Sequence, residues 1–303
     1  MESRPLTERV DLMGAVDWHR RLFDSLIPLP DGTSYNAYLV KGSEKTALLD
    51  TVDPSKMDVL MDQLSNVSRI DYIVSHHAEQ DHAGAIPDVL ARYPDATVVT
   101  TPKGKEMLQD LLHLAPGTIM AVDDDESLSL GDRTLTFLHA PWVHWPETML
   151  TYVPEERMLF TCDFFGSHYA TSELYAHGTV VVDAAKRYYA EIMMPFRRMI
   201  ARHLDRLAGY DIETLAPSHG PVWPAPEVIL EAYDEWVSGP PANLVLIPFI
   251  SMHGSTREMV EHLVSALVAR GVRVEPYDLT VTDLGSLAMS MVDAATIIVG
   301  SPT

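Results

Sequence analysis

Sulfur and positive charge are scarce in this chain. Among its 303 residues there is one cysteine, Cys162. A single thiol excludes an intramolecular disulfide and a cysteine-ligated zinc or iron–sulfur site, and it fits a reducing compartment. Lys and Arg total 22 against 43 Asp and Glu, a formal net charge of -21. Short pairs such as Arg197-Arg198 do not make the basic face that a nucleic-acid binder shows, and an anionic membrane surface would repel so acidic a chain. No apolar run approaches the roughly 20 residues of a membrane-spanning helix. The first five residues carry no apolar signal-peptide core. The expectation is a cytoplasmic protein that engages neither nucleic acid nor membrane.

What is present is ordinary globular material, with 47% hydrophobic and 21% charged residues. There is no internal repeat. A Ser-Gly-Pro-Pro-Ala-Asn stretch at 238–243 cannot continue a helix. It divides the chain into an expected first domain at 1–237 and a second at 244–303. In the first, strands are expected at 34–40, 46–52, 70–74, 96–100, 133–138, 148–153 and 158–161. Helical spacing marks 55–66, 85–93 and a long stretch at 184–207. This mixture predicts two packed sheets with helices outside. The second part alternates: strand 244–250, helix 256–270, strand 272–277, helix 282–291, strand 295–300. That is βαβαβ, the unit of a parallel doubly wound sheet.

The chemistry-bearing residues cluster. His77, Glu79, Asp81 and His82 place four potential ligands within six residues, just after an apolar strand. On an extended segment 77, 79 and 81 would share a side; in a tight loop the four could serve two metals. Three further candidates sit at strand ends or turns: His144, Asp163 and His219. Each alone reads more readily as a structural residue. His76, next to His77, points the other way on a continuing strand and is taken as a support behind the ligands or as structural, not as a ligand. Asp53 is either an orienting partner for a ligand imidazole or the first residue of an Asp-Pro turn.

The pattern His-x-Glu-x-Asp-His-x-Gly ending at Gly84 resembles the signature of the metallo-β-lactamase superfamily. Its hydrolases carry His where this chain has Glu79, and Glu there resembles the flavodiiron proteins, or A-type flavoproteins. His144-Trp145-Pro146, Asp163-Phe164-Phe165-Gly166 and Pro217-Ser218-His219-Gly220 are similar to that family as well. The resemblance spans roughly residues 8–303. It implies an α/β fold, a metallo-β-lactamase αββα sandwich followed by a partial, truncated flavodoxin-like doubly wound unit. It implies one iron on His77, Glu79 and His144, a second on Asp81, His82 and His219, and Asp163 bridging both. A nitrogen and oxygen shell without thiolate favours iron or manganese over zinc. His168 resembles a residue that family members carry near the site.

Ser251-Met252-His253-Gly254-Ser255-Thr256 joins a strand to a helix, and hydroxyls with free amides at a helix start suit a phosphate. The segment resembles the flavodoxin phosphate loop that holds FMN, and Ser301-Pro302-Thr303 resembles the start of the second FMN loop. The chain stops there, so a fragment of a longer protein with weak FMN binding is expected. Pro248 is awkward in a strand that should be central. The family resemblance implies a flavodiiron oxidoreductase that reduces O2 to water and/or NO to N2O with electrons delivered through FMN. It also implies a head-to-tail homodimer and a separate electron donor, such as rubredoxin or a flavin reductase. Two other readings are a binuclear metallohydrolase of the same fold and a diiron O2-binding sensor. Trp145, His168 and Met194 are the residues expected near the gas.

Overall fold

A computed structural model describes residues 2–302. Two sheets face each other. The first has seven strands, in the order Arg4–Pro5, Val10–Asp17, Thr33–Lys41, Thr46–Leu49, Tyr72–Val74, Thr97–Thr100, Ile119–Ala121. It is antiparallel up to Thr46–Leu49 and parallel beyond. The second has five, in the order Ser127–Ser129, Thr134–His139, Met149–Val153, Met158–Cys162, Thr214–Pro217. The expected αββα sandwich is what forms.

Alternation along the strands builds the layers. In Thr33–Lys41, Tyr38 and Val40 enter the core between the sheets, where they meet Phe137, Met149, Val153 and Phe160. Their neighbours Tyr35, Ala37 and Leu39 face the opposite way, into a layer with Leu60, Leu64, Ile86 and Leu108 from the outer helices. Both faces are covered, so every residue of the strand from Thr33 to Val40 is buried, the polar Thr33, Ser34 and Asn36 included. The second sheet buries Leu138, Leu150 and Leu159 against the helices Thr179–Tyr188, Arg197–Leu207 and Glu227–Ser238.

The long helix expected at 184–207 is broken. Thr179–Tyr188 passes into a π-helical turn at Tyr189–Met193 and a 3-10 turn at Met194–Phe196 before Arg197–Leu207 begins. Pro195 lacks the amide that would continue the ladder. The helix expected at 55–66 is likewise α-helical only over Met57–Gln63. The helices Pro102–Leu112 and Glu227–Ser238 and the strand Val10–Asp17 had no sequence expectation.

After Ser238 the third sheet is parallel, in the order Arg273–Asp278, Ala242–Phe249, Ala294–Ile297, with the helix Ser255–Val268 over Val245, Ile247 and Phe249. Pro248 does occupy the central strand. The neighbouring strand ends at Ile297, close to where Pro248 offers no N–H, and Gly300 N then donates to the Pro248 carbonyl at 2.9 Å. This unit is tied to the sandwich through its helix Leu284–Asp293. Arg187 binds both oxygens of Asp283 at 2.6 and 2.7 Å, and Lys186 binds Asp293 at 2.7 Å.

Candidate metal centre

The strand Tyr72–Val74 ends at the sheet's carboxyl edge, and the chain bends at His76 and again at Glu79 before a one-turn helix, Gln80–Ala83. Loop and helix together divide the four ligand candidates. His77 and Glu79 turn to one side; Asp81 and His82 turn to the other. Each pair finds its complement from the second sheet. His77 and Glu79 group with His144 and Asp163, and Asp81 and His82 group with His219. All seven residues expected from the sequence therefore converge, and the two-metal alternative for the loop is the one the geometry favours over a shared side.

Asp163 stands between the groups. Its Oδ1 lies 3.0 Å from His82 Nε2 and 3.3 Å from His219 Nε2, and its Oδ2 lies 3.6 Å from both His77 Nε2 and His144 Nε2. Glu79 Oε2 is 3.0 Å from His77 Nε2 and 3.3 Å from His144 Nε2. Asp81 lies 3.3 Å from His82 and 3.1 Å from His219. Metal–ligand bonds of about 2.1 Å separate adjacent ligand atoms by roughly 3.0 to 3.4 Å, so these spacings suit two cations. Both Asp81 oxygens, Asp163 Oδ2 and His82 Nε2 are buried without a well-formed hydrogen bond. Buried carboxylates without partners are costly, and a cation in each group removes that cost.

The electrostatics agree. Burial opposes charge on His144 and His219, yet the carboxylates they face, Asp163 with Glu79 and Asp163 with Asp81 respectively, push them up to about 9 and about 10. Against the same burial, Glu147 and Glu79 raise His77, and Asp163 and Asp81 raise His82. Burial pulls Asp163 upward, but His82, His144 and His219 hold it well below the carboxylate range. The cluster demands positive charge at its centre.

Residues behind the ligands fix their orientation. Glu147 Oε1 accepts from His77 Nδ1 at 2.6 Å and from the Ala78 amide at 3.0 Å. The Ser34 carbonyl accepts from His219 Nδ1 at 2.6 Å. Tyr188, whose side chain is fully buried, donates to Asp163 Oδ1 at 2.8 Å. Asn36 donates to the carbonyls of Pro217 and Gly220, on both sides of His219. None of Glu147, Ser34, Asn36 and Tyr188 was marked in the sequence. Glu147 directly follows the His144-Trp145-Pro146 segment, and its place three residues after a candidate ligand was the available signal.

His76 is structural, as expected: Nδ1 pairs with Asp50 and Nε2 with Thr151, both at 2.7 Å. Asp53 takes the turn role. Its Oδ1 accepts from Ser55 N at 2.9 Å and caps the 3-10 turn Pro54–Lys56. His168 bonds Thr33 Oγ1 through Nδ1 at 2.9 Å, and its ring packs 4.9 Å from that of His219. Burial and the neighbouring His219 hold it well below the usual range, hence neutral. Trp145 packs edge-on to His77 at 4.9 Å. The centre opens beside Glu79 and His144, whose side chains are 10% and 16% exposed, against 3% or less for the other five. Asp24 lies at that opening, its carboxyl raised to about 6 by partial burial and by Glu79 beside it.

A family model described as ODP family beta lactamase matches residues 33–220. Over 308 residues the chain is 39% identical to a nitric oxide reductase of Moorella thermoacetica, covering 98% of this chain and 77% of that protein. It is 31% identical to the rubredoxin-oxygen oxidoreductase of Megalodesulfovibrio gigas, covering 100% and 78%. The flavodiiron protein of Giardia intestinalis superposes with a TM-score of 0.92 at 29% identity, over 100% of this chain and 76% of that one. The chain belongs to the flavodiiron protein family. The solved rubredoxin oxygen:oxidoreductase from Desulfovibrio gigas superposes more closely still, with a TM-score of 0.94 at 31% identity, over 99% of this chain and 78% of that one. Like its named relatives, this family member is an oxidoreductase.

A flavodiiron protein also carries a flavin part, and the candidate loops for one are adjacent here. The strands ending at Phe249 and Ile297 are parallel neighbours, bridged again at Phe249 and Gly300, so 251–256 and Ser301-Pro302 leave the same sheet edge. Gly254 adopts φ +90°, which suits glycine, and precedes the helix Ser255–Val268. Ser251 Oγ accepts from the Arg257 amide at 3.2 Å. Ser251, Met252, His253 and Ser255 are accessible, while Thr256 is buried. Thr303, the last expected flavin residue, lies outside the described residues. Among the described residues no helix is long and apolar enough to cross a membrane.

Proposed function

We propose that this chain reduces O2, NO or both at a non-haem diiron centre. One iron would be held by His77, Glu79 and His144, the other by Asp81, His82 and His219, with Asp163 bridging. The observation that carries this is the division of Asp163: one oxygen faces each group. The donor set fits iron, because it holds nitrogen and oxygen but no thiolate. Bound iron supplies coordination positions for a diatomic gas and electrons for its reduction.

The protein's own residues prepare that chemistry. Glu147 and the Ser34 carbonyl fix the ring orientation of His77 and His219, leaving Nε2 of each toward the centre. Tyr188 anchors one Asp163 oxygen. Phe23 and Trp145 pack against ligand imidazoles and keep water from them. The exposed edge beside Glu79, His144 and Asp24 is the approach left to a small gas.

Within the same proposal, 1–237 is the diiron domain, 238–243 the linker and 244–303 the start of the flavin domain. FMN would lie against residues 251–256 and 301–303 and pass electrons inward. A head-to-tail homodimer would bring one chain's flavin to its partner's metals, with rubredoxin or a flavin reductase as donor. A cytoplasmic location suits the single buried thiol.

The test is elemental analysis of protein purified without oxygen, followed by gas uptake with a reducing donor. About two irons per chain, the stoichiometry of a two-metal site, together with consumption of O2 or NO is the expected result. Two zincs that iron cannot displace, with ester hydrolysis, would overturn it in favour of a metallohydrolase.

A further inference from the structure

The second unit rests on the sandwich through one helix, Leu284–Asp293, which meets the π-helical turn Tyr189–Met193 and the helix before it. Ion pairs mark both ends of that seat. At its start Asp283 takes two Arg187 nitrogens at 2.6 and 2.7 Å, and it also caps its own helix through the amides of Gly285 and Ser286. At its end Asp293 takes Lys186 at 2.7 Å, and Val292 beside it packs against the helix-covered core of the second sheet.

Under the first turn of this helix lies a carboxyl whose position no hydrogen bond explains. Glu191 Oε1 is 3.2 Å from Arg187 Nε, and both atoms are buried without a well-formed hydrogen bond. Gly285 sits directly over the pair: a methyl group there would collide with the Arg187 guanidinium and with Glu191 Oε1. The helix backbone itself closes the carboxyl off, and the Glu191 side chain is 9% exposed.

One guanidinium thus faces two carboxylates, Asp283 from the second unit and Glu191 from the first. Arg187 also feels Asp31, just before the strand Thr33–Lys41, while Lys186 and Asp293 neutralise each other at the far end. With Glu191 protonated, the Arg187–Asp283 pair is neutral as it stands. With Glu191 ionised, the seat holds a surplus negative charge away from water, which is costly. Lifting the helix lets water reach that charge. Burial accordingly raises the Glu191 carboxyl to about 7, with Asp283 adding to the rise and Arg187 opposing it. Arg187 holds Asp283 below the carboxylate range, so Asp283 stays ionised throughout.

We infer that Glu191 is a proton-operated latch: the second unit stays seated on the sandwich while this carboxyl is protonated and is released when it ionises. Released, Glu191 is an ordinary solvated carboxyl, ionising near about 4.3. The proton's contribution to docking is therefore complete below that value. It falls by up to about tenfold in the docking constant per pH unit as pH rises toward 7, and levels off above. The latch needs neither metal nor gas. On the flavin reading above, release would free the loops 251–256 and 301–302 to move relative to the metal centre.

The experiment measures the distance between the units in the full chain. Spin labels go on Asp110→Cys and His262→Cys, exposed positions on the first and second units; Cys162 is buried and stays unlabelled. One narrow distance distribution is expected at about pH 5 and a broader one at about pH 8, with the long-distance fraction grown about tenfold or more. Glu191→Gln should stay narrow at both. Hydrogen exchange in the helix Leu284–Asp293, corrected for the intrinsic pH dependence of exchange, should follow the same pattern. A wild-type distribution that is the same at both pH values, or a broadening that Glu191→Gln shares in full, would overturn the latch. Either result leaves the reductase reading standing, because neither readout passes through the metals.

Discussion

Glu147 accepts a 2.6 Å hydrogen bond from Nδ1 of His77, at a point where both side chains are fully buried. The bond places the proton on Nδ1 and leaves Nε2 free for a metal. Removing such a partner typically lowers metal affinity about 10- to 100-fold. Glu147→Gln should do so at the His77, Glu79, His144 position, read by chelator competition, while circular dichroism stays unchanged.

Asn36 governs the other group. Its side-chain amide donates to the carbonyls of Pro217 and Gly220 at 2.9 and 2.8 Å, and so holds the turn that carries His219. Asn36→Leu leaves the buried Gly220 carbonyl without this donor, at about 1–3 kcal/mol, while the Pro217 carbonyl keeps the Tyr38 hydroxyl at 2.6 Å. Chemical denaturation should show that loss. Metal retention should fall at the Asp81, His82, His219 group before the other.

Metal removal should itself destabilise the fold. The candidate ligands Asp81 and Asp163 are buried carboxylates that a cation would satisfy. A ligand that binds only the folded state at a hundred times its Kd adds about 2.7 kcal/mol. Stripped protein should therefore melt earlier than loaded protein in a thermal scan, and Asp163→Ala should abolish most of the difference. An unchanged midpoint on loading would count against metal binding by these residues.

Glu191 gives a pH dependence remote from the metals. Burial raises its carboxyl to about 7, although Arg187 lies 3.2 Å away and opposes the shift. A carboxyl raised in the folded state contributes stability that is complete below its unfolded value, near 4.3. That contribution is lost as pH rises toward 7. Glu191→Gln should flatten this part of the stability curve, with the variant gaining on wild type as pH climbs through the window. Parallel curves for the two proteins would show that Glu191 ionises normally.

The candidate ligand cluster was legible because its residues are of unusual type and density: His77, Glu79, Asp81 and His82 lie within six positions. The strands near them were legible as short apolar runs, at 70–74 and 158–161. The long helix at 184–207 was not, since apolar periodicity continues across Pro195 although the hydrogen-bond ladder does not. Of the two roles the sequence left open for Asp53, the structure shows the turn, its side chain capping Pro54–Lys56. Glu147, Asn36 and Tyr188 carry no local signature, since each is defined by a partner 70, 181 or 25 positions away in the chain.

By itself, the sequence determined which atoms could bind a metal, the αββα class and the family. Those depend on residue types and short spacings, which local chemistry dictates. Tertiary structure alone decided how the ligands divide between two positions, which oxygen of Asp163 faces which group, and which side chains hold the imidazoles in place. Hydrogen bonds form only where folding brings donor and acceptor within about 3 Å, and no spacing along the chain encodes that approach.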